Sequence, residues 1–133
     1  MINLNNTSPA AINGGANVKF QSDSSGNVSA YAQITKLLAS PASGVVTLNA
    51  SLATSFFIPV TQAITSMSVI NPTDGQEITV VWQQDITGHA VTVATTFRGT
   101  PSVSTTAGST TSAKLTYNAA DTIWFCLGGV SGM

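Results

Sequence analysis

From Val45 onwards the chain is cut into short apolar runs, none of them long enough for a helix. The runs read "VVTLNASL", "SFFIPV", "AITSMSVI", "EITVVWQQ", "AVTVATTF" and "TIWFCLGG". Gly, Pro, Asn and Asp punctuate them about every 8–12 residues, the spacing of short strands in a sandwich or barrel. No stretch of about 10–12 residues keeps a 3.6-residue period. Within "EITVVWQQ", Ile78, Val80 and Trp82 fall on one face of an extended chain and Thr79, Val81 and Gln83 on the other, because strand side chains alternate. In "NPTDGQ", Pro72 fixes φ and Asp74-Gly75 supplies a positive-φ position, so this segment is a turn. "GTPSVSTTAGSTTSAKLTY" reads as a weak strand, a turn at Ala107-Gly108 and a better strand ending at Tyr117, and "NAAD" turns the chain into "TIWFCLGG".

Upstream, "NVKF" and "VSAYAQIT" flank the turn "SDSSGN", while Pro41 and Gly44 make "KLLASPASG" a linker. Residues 1–16 hold only Met1, Ile2, Leu4 and Ile12 as large apolar side chains, beside Pro9 and Gly14-Gly15. Such a segment buries too little to offset its own ordering, about 1–2 kcal/mol per residue of backbone entropy, and reads as an extended arm. The expected architecture is all-β: an antiparallel β-sandwich of jelly-roll or immunoglobulin-like type over residues 17–133, preceded by the extended N-terminal arm, residues 1–16.

Charge sharpens this reading. Charged residues are 7% of the 133, and the net charge is −1, against roughly 25% charged in ordinary soluble domains. Lys19, Lys36, Arg98 and Lys114 are too few and too dispersed for nucleic acid. Ser and Thr, about a quarter of the chain, carry the solubility instead, and Thr favours pleated strands. A β-protein with so few charges leaves its sheet edges poorly guarded against edge-to-edge association, which is tolerable where partners already occupy those edges. No apolar run reaches the roughly 20 residues of a membrane span, and "MINLNNTSPAAINGG" lacks the basic start and apolar core of a secretory signal.

The sole histidine, His89, follows Asp85 by four positions in "ITVVWQQDITGHAVTV". Asp85 and Gly88 are what a hairpin tip needs, so residues 78–93 read as a β-hairpin with a polar tip. A nucleophilic triad would also need an activated Ser or Cys with oxyanion donors, and no G-x-S-x-G context exists. Asp74 and Glu77 resemble a glycosidase pair in spacing, but both flank a turn, and Asp121 sits in another. One His and scattered carboxylates do not make a metal site. Trp82 and Trp124 suit a core better than a sugar-stacking platform, and Cys126, alone in an apolar run, suits a small buried hydrophobe. The expectation is no enzyme, no cofactor and no metal. In the last run Ile123, Phe125 and Leu127 oppose Trp124 and Cys126, so both faces are apolar and a neighbouring copy is the expected cover of one of them.

Two stretches resemble a known class. Gly75-Gln76, Gln84-Asp85, Thr87-Gly88, Val91-Thr92, and Tyr117 with Trp124 follow the outline of a β-sandwich module of tailed-bacteriophage virion proteins. "INLNNTSPAAINGGANVKFQSDSSGNVSAY" is similar to the starts of small phage and prophage virion proteins, and the segment 32–69 is less clearly matched. The resemblance implies a non-enzymatic virion structural protein, made in the host cytoplasm and placed on the capsid surface. It would be a decoration (cement) protein that binds and stabilises the shell of major capsid protein, or contacts other virion proteins, as a homo-oligomer. The alternative is a tail-fibre or tail-tip module that recognises host-surface glycans. In the first case the arm residues Ile2, Leu4, Asn5, Asn6, Pro9 and Ile12 are the expected partner contacts.

Overall fold

The computed structural model describes residues 17–22 and 24–133, with side chains described for residues 24–27 and 36–133. The chain divides into two compact units, Met1–Thr35 and Lys36–Met133, with the division falling inside the second strand. In the first unit, β1 (Asn17–Ser22) pairs antiparallel with β2 (Val28–Leu38), from Asn17 opposite Gln33 to Ser22 opposite Val28. This is the hairpin that "SDSSGN" predicts, with Gly26 at positive φ in its turn. The arm residues Ile2, Leu4, Asn5, Asn6, Pro9 and Ile12 lie outside the described residues.

The second unit is all-β among its described residues. Its strands are β3 (Val45–Asn49), β4 (Ala53–Val60), β5 (Ser66–Ile70), β6 (Glu77–Gln84), β7 (Phe97–Arg98), β8 (Thr110–Asn118) and β9 (Ile123–Val130). β4, β6, β8, β9 and β7 lie side by side in that order, and β3 and β5 form a separate pair. The pairing differs from the antiparallel expectation. β3 runs parallel to β5, β4 parallel to β6 and β7 parallel to β9, whereas β6–β8 and β8–β9 are antiparallel. The sheet is therefore mixed.

Parallel neighbours need a crossover connection; for β3–β5 and β4–β6 a strand of the other sheet provides it, and for β7–β9 it runs through β8 of the same sheet. From β3 to β6 the chain alternates between the two sheets, so β4 carries it from β3 to β5 and β5 carries it from β4 to β6. Turn residues mark where the chain reverses, but they do not say whether the next strand pairs in the same sheet or crosses to the other.

One core joins both sheets. Val46 and Leu48 of β3, Phe56, Ile58 and Val60 of β4, Ile78, Val80 and Trp82 of β6, Leu115 of β8 and Trp124 of β9 are buried in a single cluster. The alternation within "EITVVWQQ" is realised, since Ile78, Val80 and Trp82 are buried while Thr79 and Val81 are half-buried. Trp82 and Trp124 are core residues, 0% and 1% exposed, and Tyr117 packs against Trp124 with ring centroids 4.9 Å apart. Among the described residues the indole N–H of Trp82 has no hydrogen-bond partner. Cys126 is half-buried at the margin of the core, its Sγ 3.3 Å from the Gly128 carbonyl.

Candidate functional site

The hairpin expected over residues 78–93 does not form. β6 ends at Gln84, and "AVTVATTF" is irregular apart from a parallel bridge of Val91 to Ile64 and the first residue of β7, Phe97. The chain leaves the sheet at Asp85, rejoins its edge for two residues at Phe97–Arg98 (β7) and forms a full strand again at Thr110. What holds this excursion is the side chain of Gln84, 4% exposed. Its amide nitrogen donates to the carbonyls of His89 (2.8 Å) and Ser104 (2.6 Å), and its oxygen accepts the His89 N–H (2.8 Å). One buried amide thus replaces the ladder that a hairpin would have supplied, satisfying backbone groups that are costly to leave unpaired. In the sequence Gln84 figures only within the outline of the resemblance, without a structural role; its local signal is polarity at a position that strand alternation places on the core face, two residues after Trp82.

Asp85 and His89 do meet. The imidazole Nε2 lies 3.1 Å from Asp85 Oδ2, while Oδ1 accepts the N–H groups of Thr87 (2.8 Å) and Gly88 (3.0 Å). The amide of Thr87 foremost, then those of Gly88 and the His89 ring, hold the Asp85 carboxyl below its ordinary value against an opposing push from desolvation. Among the described residues, Asp85 is the hydrogen-bond partner of the His89 ring, and no nucleophile completes a triad. The carboxylate closes a turn, as the sequence reading expects, although the turn is not a hairpin tip. Gly88 is indispensable there: its φ is +77°, and a Cβ would stand 2.1 Å from the Thr105 carbonyl oxygen.

The other candidates are also part of the scaffold. Asp74 accepts the Ala119 N–H at 2.9 Å, fastening the turn before β6 to the turn between β8 and β9. Glu77 pairs with Lys114 at 3.1 Å across β6 and β8, both side chains about half exposed. Asp121 accepts from the Asn118 side-chain amide at 2.8 Å. Arg98 donates to the carbonyls of Thr95 and Phe97, and the ammonium of Lys36 sits 4.0 Å from the centre of the Phe57 ring. Among the described residues no cluster of His, Cys, Asp and Glu could hold a metal ion, and no helix is long and apolar enough to cross a membrane.

A different feature emerges on the outward face of the larger sheet. Strand register places Phe57, Val81, Ser112 and Val130 in one row across β4, β6, β8 and β9, with Glu77, Thr116 and Phe125 in another. A hollow of about 330 Å³ lined by Thr54, Ser55, Glu77, Ile78, Thr79 and Lys114 opens on the same face. Beside it, Phe125, Leu127 and Val130 are 41%, 56% and 50% exposed. A β-bulge between Lys114 and Leu115 of β8 and the facing residues of β9 puts Gly128 opposite Lys114 and Cys126 opposite Leu115, with Leu127 as the extra residue. No family model matches the chain, and no curated protein matches it in sequence.

Proposed function

We propose that this chain is a non-enzymatic structural protein of a tailed-phage virion, a capsid decoration (cement) protein that binds the shell of major capsid protein. The observation that supports this reading is how the second unit uses its charges. Lys36, Asp74, Glu77, Asp85, Arg98, Lys114 and Asp121 are its charged residues, and each is engaged in a turn, a cross-strand pair, a carbonyl contact or a ring contact. Acid–base chemistry needs a group held ready for substrate, whereas a component of a pressurised shell needs tight turns and a sealed core. On this reading the two sheets are the layers of a β-sandwich that stands as a rigid knob. On the same reading residues 1–16 attach the chain to the shell, by adding backbone hydrogen bonds through strand addition.

Immunogold labelling and copy-number measurement on virions of the phage that encodes the chain test this. Label over the head at hundreds of copies is the expected result. Label confined to the tail at a few copies, or none on the particle, would sink it. Removing residues 1–16 should leave the unfolding temperature nearly unchanged and sharply reduce occupancy on the head. Full occupancy of the truncated protein would remove the arm from the mechanism.

A further inference from the structure

We propose that the Asp85 turn is an acid-released latch for one end of the second unit. Two loops build that end, residues 85–89 and residues 104–109, and each holds the other. Gly108 donates its N–H to the Asp85 carbonyl at 2.7 Å, and Gly88 backs onto the Thr105 carbonyl with no room for a Cβ. Ile86, Thr87 and the residues from Thr105 to Gly108 are exposed there. The shape of this surface therefore depends on the turn keeping its form.

One carboxylate fixes that form. Asp85 Oδ1 accepts the Thr87 and Gly88 N–H groups, and Oδ2 meets the His89 ring. A protonated carboxyl is a weaker acceptor for both amides and offers the ring no charge. Gln84 does not substitute for it, since its side-chain amide is already engaged with His89 and Ser104. Among the described residues, only His89 titrates beside Asp85. β6 ends in Gln83 and Gln84, β4 offers the Val60 carbonyl to the Asp85 N–H, and residues 104–109 are Ser, Thr, Ala and Gly. The Thr87 amide, the Gly88 amide and the His89 ring all favour the ionised carboxyl, which lies below its ordinary value in the folded chain. Its contribution is complete above the ordinary value, about 3.9, and is lost as pH falls through the folded one. The latch thus holds at neutral pH and in mild acid and opens in strong acid. The inference does not depend on which particle the chain joins.

Amide hydrogen exchange and carboxyl NMR on the purified full chain test it. Between about pH 5 and about pH 2, protection factors of the Thr87, Gly88 and Gly108 amides should fall at least about tenfold, while amides of the β6–β8 ladder keep theirs. The Asp85 carboxyl resonance should titrate with the same midpoint as that step. Asp85→Asn keeps an acceptor oxygen but cannot ionise, so its amides should show no step. His89→Gln should keep the step and move it to higher pH, because the ring favours the ionised carboxylate. Amides that stay protected in strong acid overturn the proposal, as does a step that persists in Asp85→Asn. So does a step that His89→Gln leaves in place, or an Asp85 carboxyl that titrates at or above the ordinary value. Equal loss of protection through the β6–β8 ladder overturns it too, because acid would then unfold the unit rather than open one end.

Discussion

The loop after β6 and the turn between β8 and β9 begin with nearly the same chemistry and end differently. In the first, Asp85 accepts the N–H groups of Thr87 and Gly88. In the second, Asn118 Oδ1 accepts the Ala120 N–H at 3.0 Å and its amide reaches Asp121. The second turn closes a hairpin, with Asn118 opposite Ile123. The first leads into an irregular segment whose sheet pairings before Thr110, among the described residues, are a bridge to Ile64 and the two-residue β7. Local turn chemistry is thus indifferent to what the next segment pairs with. The outcome is set by what waits at the end of the strand: Gln84 is buried and collects the backbone of His89 and Ser104, whereas β8 passes directly into a partner strand with its own buried Trp124.

If that contrast is right, Gly88→Ala should cause the largest loss. The substitution combines a positive φ with a contact to the Thr105 carbonyl that no rotamer relieves, and should cost about 3 kcal/mol in urea unfolding. The same change at Gly75, where a Cβ meets nothing within 4 Å, should cost about 1 kcal/mol, through backbone strain alone. Equal losses at the two sites would show that the loop after β6 yields freely.

Gln84→Ala comes next, at about 2 kcal/mol, since it strands the backbone groups of His89 and Ser104 in a buried place. Amide hydrogen exchange would read this directly: His89 N–H should lose protection while amides of the β8–β9 ladder keep theirs. Uniform loss across both regions would mean that Gln84 supports the whole core.

The smallest effect runs the other way and tests the hairpin turn. Thr122 adopts φ +55°, uncommon for a β-branched residue. Thr122→Gly should therefore stabilise the unit by up to about 1 kcal/mol, the relief of strain being partly offset by the freedom glycine gains in the unfolded chain. Destabilisation by that change would indicate that the Thr122 hydroxyl, 2.7 Å from the Asp121 carbonyl, contributes more than the strain costs.

Much of the architecture was legible before any coordinates. Strands β3, β4, β5, β6, β8 and β9 fall on runs marked by two-residue alternation, and the turns at Asp74-Gly75 and Ala107-Gly108 stand where Gly and Asp require them. These are local properties, decided by φ/ψ preference and by which side of a strand is apolar. Asp74 and Asp121, too, sit in the turns where the sequence puts them and Glu77 opens β6, but its pairing with Lys114 across β6 and β8 appears only in the structure. Pairing direction, the order of strands and the fate of "AVTVATTF" were decided elsewhere. Parallel and antiparallel neighbours bury the same alternating face, so periodicity cannot separate them, and only the packing of both sheets on one core selects β4 beside β6 and β3 beside β5. The same holds for the outward face: alternation placed Val81 and Phe125 opposite the core residues of their strands, but their meeting with Phe57 and Val130 on one surface exists only once four strands from distant parts of the chain lie side by side.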